Sequence, residues 1–313
     1  MNTDIPVSPT LAGWKIELDA SRIVTAALDL PGKINIMDDR FTDAMEALLA
    51  YLGQTPDLRG LILTSAKSVF LAGGDLKRMA QAQATEKKDL VTYFTQLKGY
   101  LRSLETLGMP TVAVINGAAL GGGYETCLAC HYRIGVDTPG VRVGLPEIEF
   151  GILAGAGGVV RATRLLGFEA VQPYLLEGKV EDASGALSAG LIDALATDQA
   201  HAIALARAWI EAHPQARQRW DARDETAHAR RAYAALPDLL KPLETREDAY
   251  AAERNLMLAA ESLNLDFDDA LRHETDVLID LLVTDYAQAK MNAFLSARTP
   301  RAPAGQATER VQA

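Results

Sequence analysis

The stretch Pro110 to Cys130, PTVAVINGAALGGGYETCLAC, is the place from which the rest of the chain can be read. PTVAVIN has the β-branched, apolar make-up of a buried strand, and a helix is predicted to begin near Tyr124. Between them stand three consecutive glycines, Gly121, Gly122 and Gly123. Glycine allows the close approach and unusual torsions of such a loop, and the first turn of a helix leaves backbone N–H groups unpaired. A second loop of this kind lies upstream in SVFLAGGDLKRM, where Ala72, Gly73, Gly74 and Asp75 follow the strand-like LRGLILTSA. Taken singly, either loop reads as a turn or packing device. Side by side they can aim two N–H donors at one oxygen, as in an oxyanion hole, where one donor contributes roughly 3 to 4 kcal/mol of transition-state stabilisation. Neither loop completes the phosphate-binding pattern GxxxxGK[ST], and GILAGAGGVV (Gly151 to Val160) lacks the last glycine of GxGxxG.

Working outward, WKIEL and IVTAALDL flank a polar turn at Asp19 to Ser21 and predict a hairpin. In DDRFTDAMEALLAYLG, Phe41, Met45, Leu48, Leu49 and Leu52 recur at helical spacing, and LVTYFTQLKGYLRSLETL is a second amphipathic helix running into Pro110. Strands separated by helices of this length imply crossover connections and layered α/β packing. Beyond about residue 168 the pattern is nearly continuous helix, with no strand expected after Leu191 to Ala196. Pro214 to Glu244, polar and interrupted by Pro237 and Pro242, reads as a linker or exposed loop. From Tyr250 to Ala297, stripes such as Leu278, Leu281 and Leu282 read as packing faces, and the tail from Thr299 reads as disordered. The resulting division is a catalytic core over residues 1–197, a helical region over 198–298 and a tail over 299–313.

At 313 residues, 49% apolar and 23% charged, the composition excludes disorder for the chain as a whole. No stretch approaches the ~18 to 20 apolar residues of a membrane span, and MNTDIPVSP carries no basic start followed by an apolar run, so a cytoplasmic location without membrane attachment is expected. A net charge of −10 argues against nucleic acid as a partner. Cys127 and Cys130 form a lone CxxC without a second pair or an HxxxH, which favours small buried thiols over a zinc or redox site.

Two carboxylates stand beside the glycine loops. Glu125 follows the glycine triplet on the first turn of its helix, and Glu147 lies 22 residues later in VRVGLPEIEFGI. Glu125 can be read as a charge favoured by the helix dipole, and Glu147 and Glu149 as exposed loop residues beside Pro146. Converging on one water beside an oxyanion hole, Glu125 and Glu147 would form an acid and base set. There is no GxSxG, and Ser65 and Ser68 have no histidine in their segment. Chemistry on a carbonyl fits better than glycoside hydrolysis, which would need no paired glycine loops.

These residues resemble the crotonase superfamily of enoyl-CoA hydratases and isomerases, through FLAGGDLK (Phe70 to Lys77), INGAALGGGYE (Ile115 to Glu125) and GLPEIEFGILAGAGG (Gly144 to Gly158). LDLPGKINIMD and LILTSAKSVFLAGGDL are similar to the hydratase half of the bacterial multifunctional fatty-acid oxidation α-subunit. The resemblance implies a crotonase-like spiral of ββα turns with a C-terminal helical region, assembled as a homotrimer or hexamer. It implies an acyl-CoA substrate and no cofactor, CoA entering as part of the substrate. By position, backbone N–H groups of Gly74 and Gly122 would hold the thioester oxygen, and Glu125 and Glu147 would hold the water, Glu125 taking its proton and Glu147 supplying one to C2. Backbone at Lys33, Ile34, Asn35, Ile36 and Ala72 would lie against CoA, and Asp75 would shape its loop. Ala154 stands where the family usually has proline, which would loosen the loop supporting Glu147. The multifunctional subunit continues into a dehydrogenase module, and no Rossmann glycine loop follows residue 200, so a free-standing hydratase is the expectation. An isomerase, a hydratase of dienoyl or cyclic acyl-CoA, and a non-catalytic acyl-CoA-binding paralogue are the alternatives.

Overall fold

The computed structural model describes residues 10–221 and 225–298; the segment read as a disordered tail lies outside them. The chain opens with β1 (Thr10–Leu11), β2 (Trp14–Leu18) and β3 (Ile23–Leu28), and β2 and β3 form the expected hairpin, with Ile16 opposite Ala26. Asp19 closes its turn by accepting the Ile23 N–H at 2.9 Å. After α1 (Asp39–Gln54), capped by Asp38, the chain repeats one pattern three times. The first round is β4 (Gly60–Ser65), β5 (Val69–Leu71), α2 (Leu76–Met79) and α3 (Lys87–Glu105). The second is β6 (Thr111–Ile115), β7 (Ala118–Leu120) and α4 (Gly122–Leu128). The third is β8 (Tyr132–Val136) and β9 (Arg142–Gly144), a 3-10 turn at Pro146–Phe150, then α5 (Gly158–Leu166) and α6 (Phe168–Leu176). β10 (Val180–Asp182), α7 (Ala183–Ser188) and β11 (Ala194–Ala196) complete the sheets.

The first strand of each round joins one sheet, ordered β1-β2-β3-β4-β6-β8-β11, and the second joins another, ordered β10-β9-β7-β5. From β3 onward every pair in the larger sheet is parallel, as crossovers require. This is an α/β spiral of ββα turns. β4 and β6 are buried at every residue because helices cover both faces of a parallel sheet. On one side α8 (Gln199–Ala212) lies across β4, β6, β8 and β11; α4 packs against β5, β6 and β7.

Six strands escape a sequence reading: β1 has two residues and β5, β7, β9 and β10 three each, too few to show alternation, and β8 is the sixth, with five. β10 also corrects the expectation of unbroken helix beyond residue 168. The reading of Pro214 to Glu244 as a linker is corrected as well. It holds a buried Trp220, stacked on Phe267 with ring centroids 5.5 Å apart, and the fifteen-residue helix α9 (Thr226–Leu240). The buried face of α9 is Ala229, Ala232 and Leu236, too narrow and small to stand out among arginines. Pro237 forgoes only the bond to the carbonyl of Tyr233, a residue exposed to water.

The last helices fold back onto the spiral. α10 (Ala249–Ser262) packs on α5, α6 and α9, and α11 (Phe267–Leu282) packs on α3 and α5. α12 (Asp285–Arg298) packs on α2 and on the Pro146–Phe150 turn.

Candidate active site

The loop after β5 is held by the segment just before α1. Ala72 donates its N–H to the Asn35 carbonyl at 3.0 Å, and Met37 donates to the Gly73 carbonyl at 2.8 Å. Asn35 is fully buried: its Oδ1 accepts the Leu30 N–H, and its Nδ2 lies within 3.1 Å of the carbonyls of Leu28 and Phe70 and within 3.0 Å of Ser65 Oγ. Its side chain is thus an internal tie, and only its backbone faces the loop. Asp75 ends the loop by capping α2, accepting the N–H groups of Lys77 and Arg78 at 3.0 and 3.3 Å.

The second loop crosses the first. Gly121 has φ +53°, and a Cβ there would run into Oε1 of Glu147. A Cβ on Gly123 would strike the Leu71 carbonyl, so α4 begins against β5 only because this residue has no side chain. Gly122 is the first residue of α4, and its N–H has no intrahelical acceptor.

Gly74, Gly122, Glu125 and Glu147 all line one cavity of about 60 Å³, walled by Phe94, Leu97 and Leu278 among other apolar side chains. A larger cleft of about 390 Å³ shares Gly74 and Glu147 with it and is bordered by Ala72, Phe150 and Phe294. Asp75 reaches the smaller cavity and Ala72 the larger, whereas Lys33, Ile34 and Ile36 line neither; Lys33 and Ile34 are exposed and Ile36 half-buried.

Glu125 is 2% exposed, and its Oε1 accepts the N–H groups of Ala156 and Gly158, both at 2.6 Å. Burial, then the negative charge of Glu274, push its carboxyl up to about 8 in spite of those two bonds. Glu147, in the turn after β9, is half-buried as a residue, but its Oε2 is shut off from solvent and has no hydrogen-bond partner among the described residues. Burial, then the charge of Glu125, hold it well above the usual carboxylate range. Two carboxyl groups with raised proton affinity beside two helix- or loop-borne N–H groups can exchange protons with a molecule between them while an oxygen is held.

Two residues that the sequence reading passed over complete this environment. Glu274 of α11 is fully buried and accepts the N–H groups of Gly157 at 2.7 Å and Val160 at 3.1 Å. Lys98 of α3 pairs with it at 2.9 Å. Both lie on apolar stripes of their helices, Glu274 between Ala270, Leu271 and Leu278 and Lys98 between Phe94, Leu97 and Leu101. A charge in such a stripe is the signal that marks them. Ala154 is buried in the same loop, which these carboxylates hold on either side. Cys127 and Cys130 are buried free thiols, and burial pushes that of Cys130 up to about 12. Among the described residues no group of three or more His, Cys, Asp or Glu could hold a metal, and no helix is long and apolar enough to cross a membrane.

Comparison with known proteins shows the family and the fold. The family model described as enoyl-CoA hydratase/isomerase matches residues 19–236. The fatty acid oxidation complex subunit alpha of Acinetobacter baylyi is 32% identical over 301 residues, covering 90% of this chain and 40% of the relative. The subunit of the same name from Colwellia psychrerythraea is 30% identical over 302 residues, covering 92% of this chain and 40% of its own length. The chain therefore spans about 40% of the length of the curated relatives it matches. Among solved structures, that of enoyl-CoA hydratase from Bacillus halodurans has a TM-score of 0.64 at 22% identity, covering 90% of this chain and 99% of the other, a likeness of fold.

Proposed function

The chain belongs to the enoyl-CoA hydratase/isomerase family, and from that membership we propose that it adds water syn across the 2,3 double bond of a trans-2-enoyl-CoA. The observation that carries this reading is that both Glu125 and Glu147 line one cavity with Gly74 and Gly122. The N–H groups of Gly74 and Gly122 hold the thioester oxygen as it takes up enolate charge. A water lies between the glutamates. Glu125, whose Oε1 already has two N–H donors, is the better anion and takes the proton as the hydroxyl bonds to C3. Glu147, whose Oε2 has no donor among the described residues, keeps its proton more tightly and delivers it to C2. The acyl chain runs along Phe94, Leu97 and Leu278, and CoA leaves through the cleft past Ala72.

A panel of 2-enoyl-CoA and 3-enoyl-CoA thioesters, followed by the absorbance of the conjugated thioester, tests it. Hydration removes that absorbance from the 2-enoyl substrates. Absorbance appearing with 3-enoyl substrates, and none lost with 2-enoyl ones, would establish isomerisation instead. Binding without any change would establish a non-catalytic acyl-CoA-binding protein.

A further inference from the structure

The backbone from Ala156 to Val160 distributes its amides between two carboxylates on different parts of the chain. Ala156 and Gly158 donate to Oε1 of Glu125, whereas Gly157 and Val160 donate to Oε1 and Oε2 of Glu274. Glu274 lies on α11 and is fully buried. Its counter-ion is equally committed: Lys98 Nζ reaches Glu274 Oε1 at 2.9 Å, the Leu271 carbonyl at 2.7 Å and Thr275 Oγ1 at 2.8 Å, one acceptor for each ammonium hydrogen. The amides of Ala156 and Gly158 on one side and of Gly157 and Val160 on the other are all paired only when both carboxylates are present, and an unpaired buried donor is costly.

Building on the acid–base reading above, we infer that Glu274, with Lys98 as its counter-ion, is a positioning residue for Glu125. It fixes Gly157 and Val160, and thereby sets the amides of Ala156 and Gly158 against the Glu125 carboxylate. Its negative charge also acts on Glu125 directly, favouring the protonated form, and this outweighs the opposing effect of the more weakly felt Lys98. The charged and titratable groups facing Glu125 are therefore Glu147 from the Pro146–Phe150 turn, Glu274 from α11 and Lys98 from α3. Arg161 of α5 is nearby, but it is bonded to Glu105 at 2.7 Å.

Glu274→Gln removes the charge and keeps the shape. Lys98→Met with Glu274→Gln removes both charges and leaves no unpaired buried ammonium. In both variants the acid limb of the kcat/KM profile should move down by about one pH unit. The kcat should fall roughly 10- to 100-fold because the amides lose their alignment. Glu274→Asp keeps the charge but shortens the reach, so it should leave the limb in place while lowering kcat. Infrared titration of the protonated carboxyl band, identified by its loss in Glu125→Gln, reads the same midpoint without turnover. An unmoved midpoint in the charge-removing variants, whatever their melting temperatures, would overturn the inference. Absence of hydration by the unmodified protein would overturn the functional reading alone and leave the infrared midpoint to decide this one.

Discussion

Among the described residues Oε2 of Glu147 meets no donor, whereas Oε1 of Glu125 takes two. In the proposed mechanism that asymmetry favours Glu125 as the base and Glu147 as the acid, and Glu147 is then the residue whose loss should cost catalysis with the least structural consequence. Glu147→Gln should lower kcat for crotonyl-CoA hydration by about 10²- to 10⁴-fold with KM little changed, checked by steady-state kinetics alongside a melting curve. Glu125 carries a different signature. Its carboxyl is held up to about 8 in the folded protein, above its value in the unfolded chain. The folded state therefore binds more protons between the two values, and its stability relative to a neutral variant falls as pH rises from about 4.5 toward 8. Glu125→Gln should melt higher than the unmodified protein above pH 8, by an amount that shrinks to nothing near pH 4, measured as Tm against pH. Both glutamates were legible in the sequence because each sits within a few residues of a glycine-rich or proline-marked loop. Glu274 and Lys98 were not, because a lone charge on an apolar helical stripe names no partner, and theirs lies more than 170 residues away.

At the level of elements, α3 and α5 are joined by a buried ion pair in which Arg161 Nε and Nη2 meet the two Glu105 oxygens at 2.7 and 3.2 Å, both side chains fully enclosed. Arg161 Nη1 also donates to the Ala156 carbonyl at 3.1 Å, so the pair anchors the loop that faces Glu125. Arg161→Met leaves Glu105 buried against Arg102 alone and should destabilise the fold by about 3 to 5 kcal/mol in urea titration. Adding Glu105→Leu should recover much of that loss, since replacing both partners of a buried pair by apolar residues is often neutral. Long elements were readable ahead of the structure: α1 and α3 show helical periodicity over 16 and 19 residues. The small sheet was not, because its strands have three residues each and their pairing is set by neighbours far along the chain. α9 was hidden for another reason, its buried face consisting mainly of alanines.

Across the whole molecule, the helices after β11 form part of the site's walls. α12 is attached through Gln288, which donates to the carbonyls of Met79 at 3.0 Å and Leu282 at 2.7 Å, and through Phe294, whose ring meets Phe150 edge-on at 5.0 Å. Ending the chain after Thr284 should raise KM for acyl-CoA, with the circular dichroism of the remainder scaling to its helical content, because α12 borders the larger cleft without entering the core sheets. A longer consequence follows from the amides of Gly157 and Val160, whose acceptor lies 117 and 114 residues further along. On a translating ribosome both glutamates and both glycine loops emerge long before Glu274 does. The spiral can gather its strands early, but the segment beside Glu125 has nothing to hold two of its amides until α11 has been made. A nascent chain stalled short of α11 would therefore carry both glutamates and both glycine loops while the Gly157 and Val160 amides still lack the carboxylate that holds them.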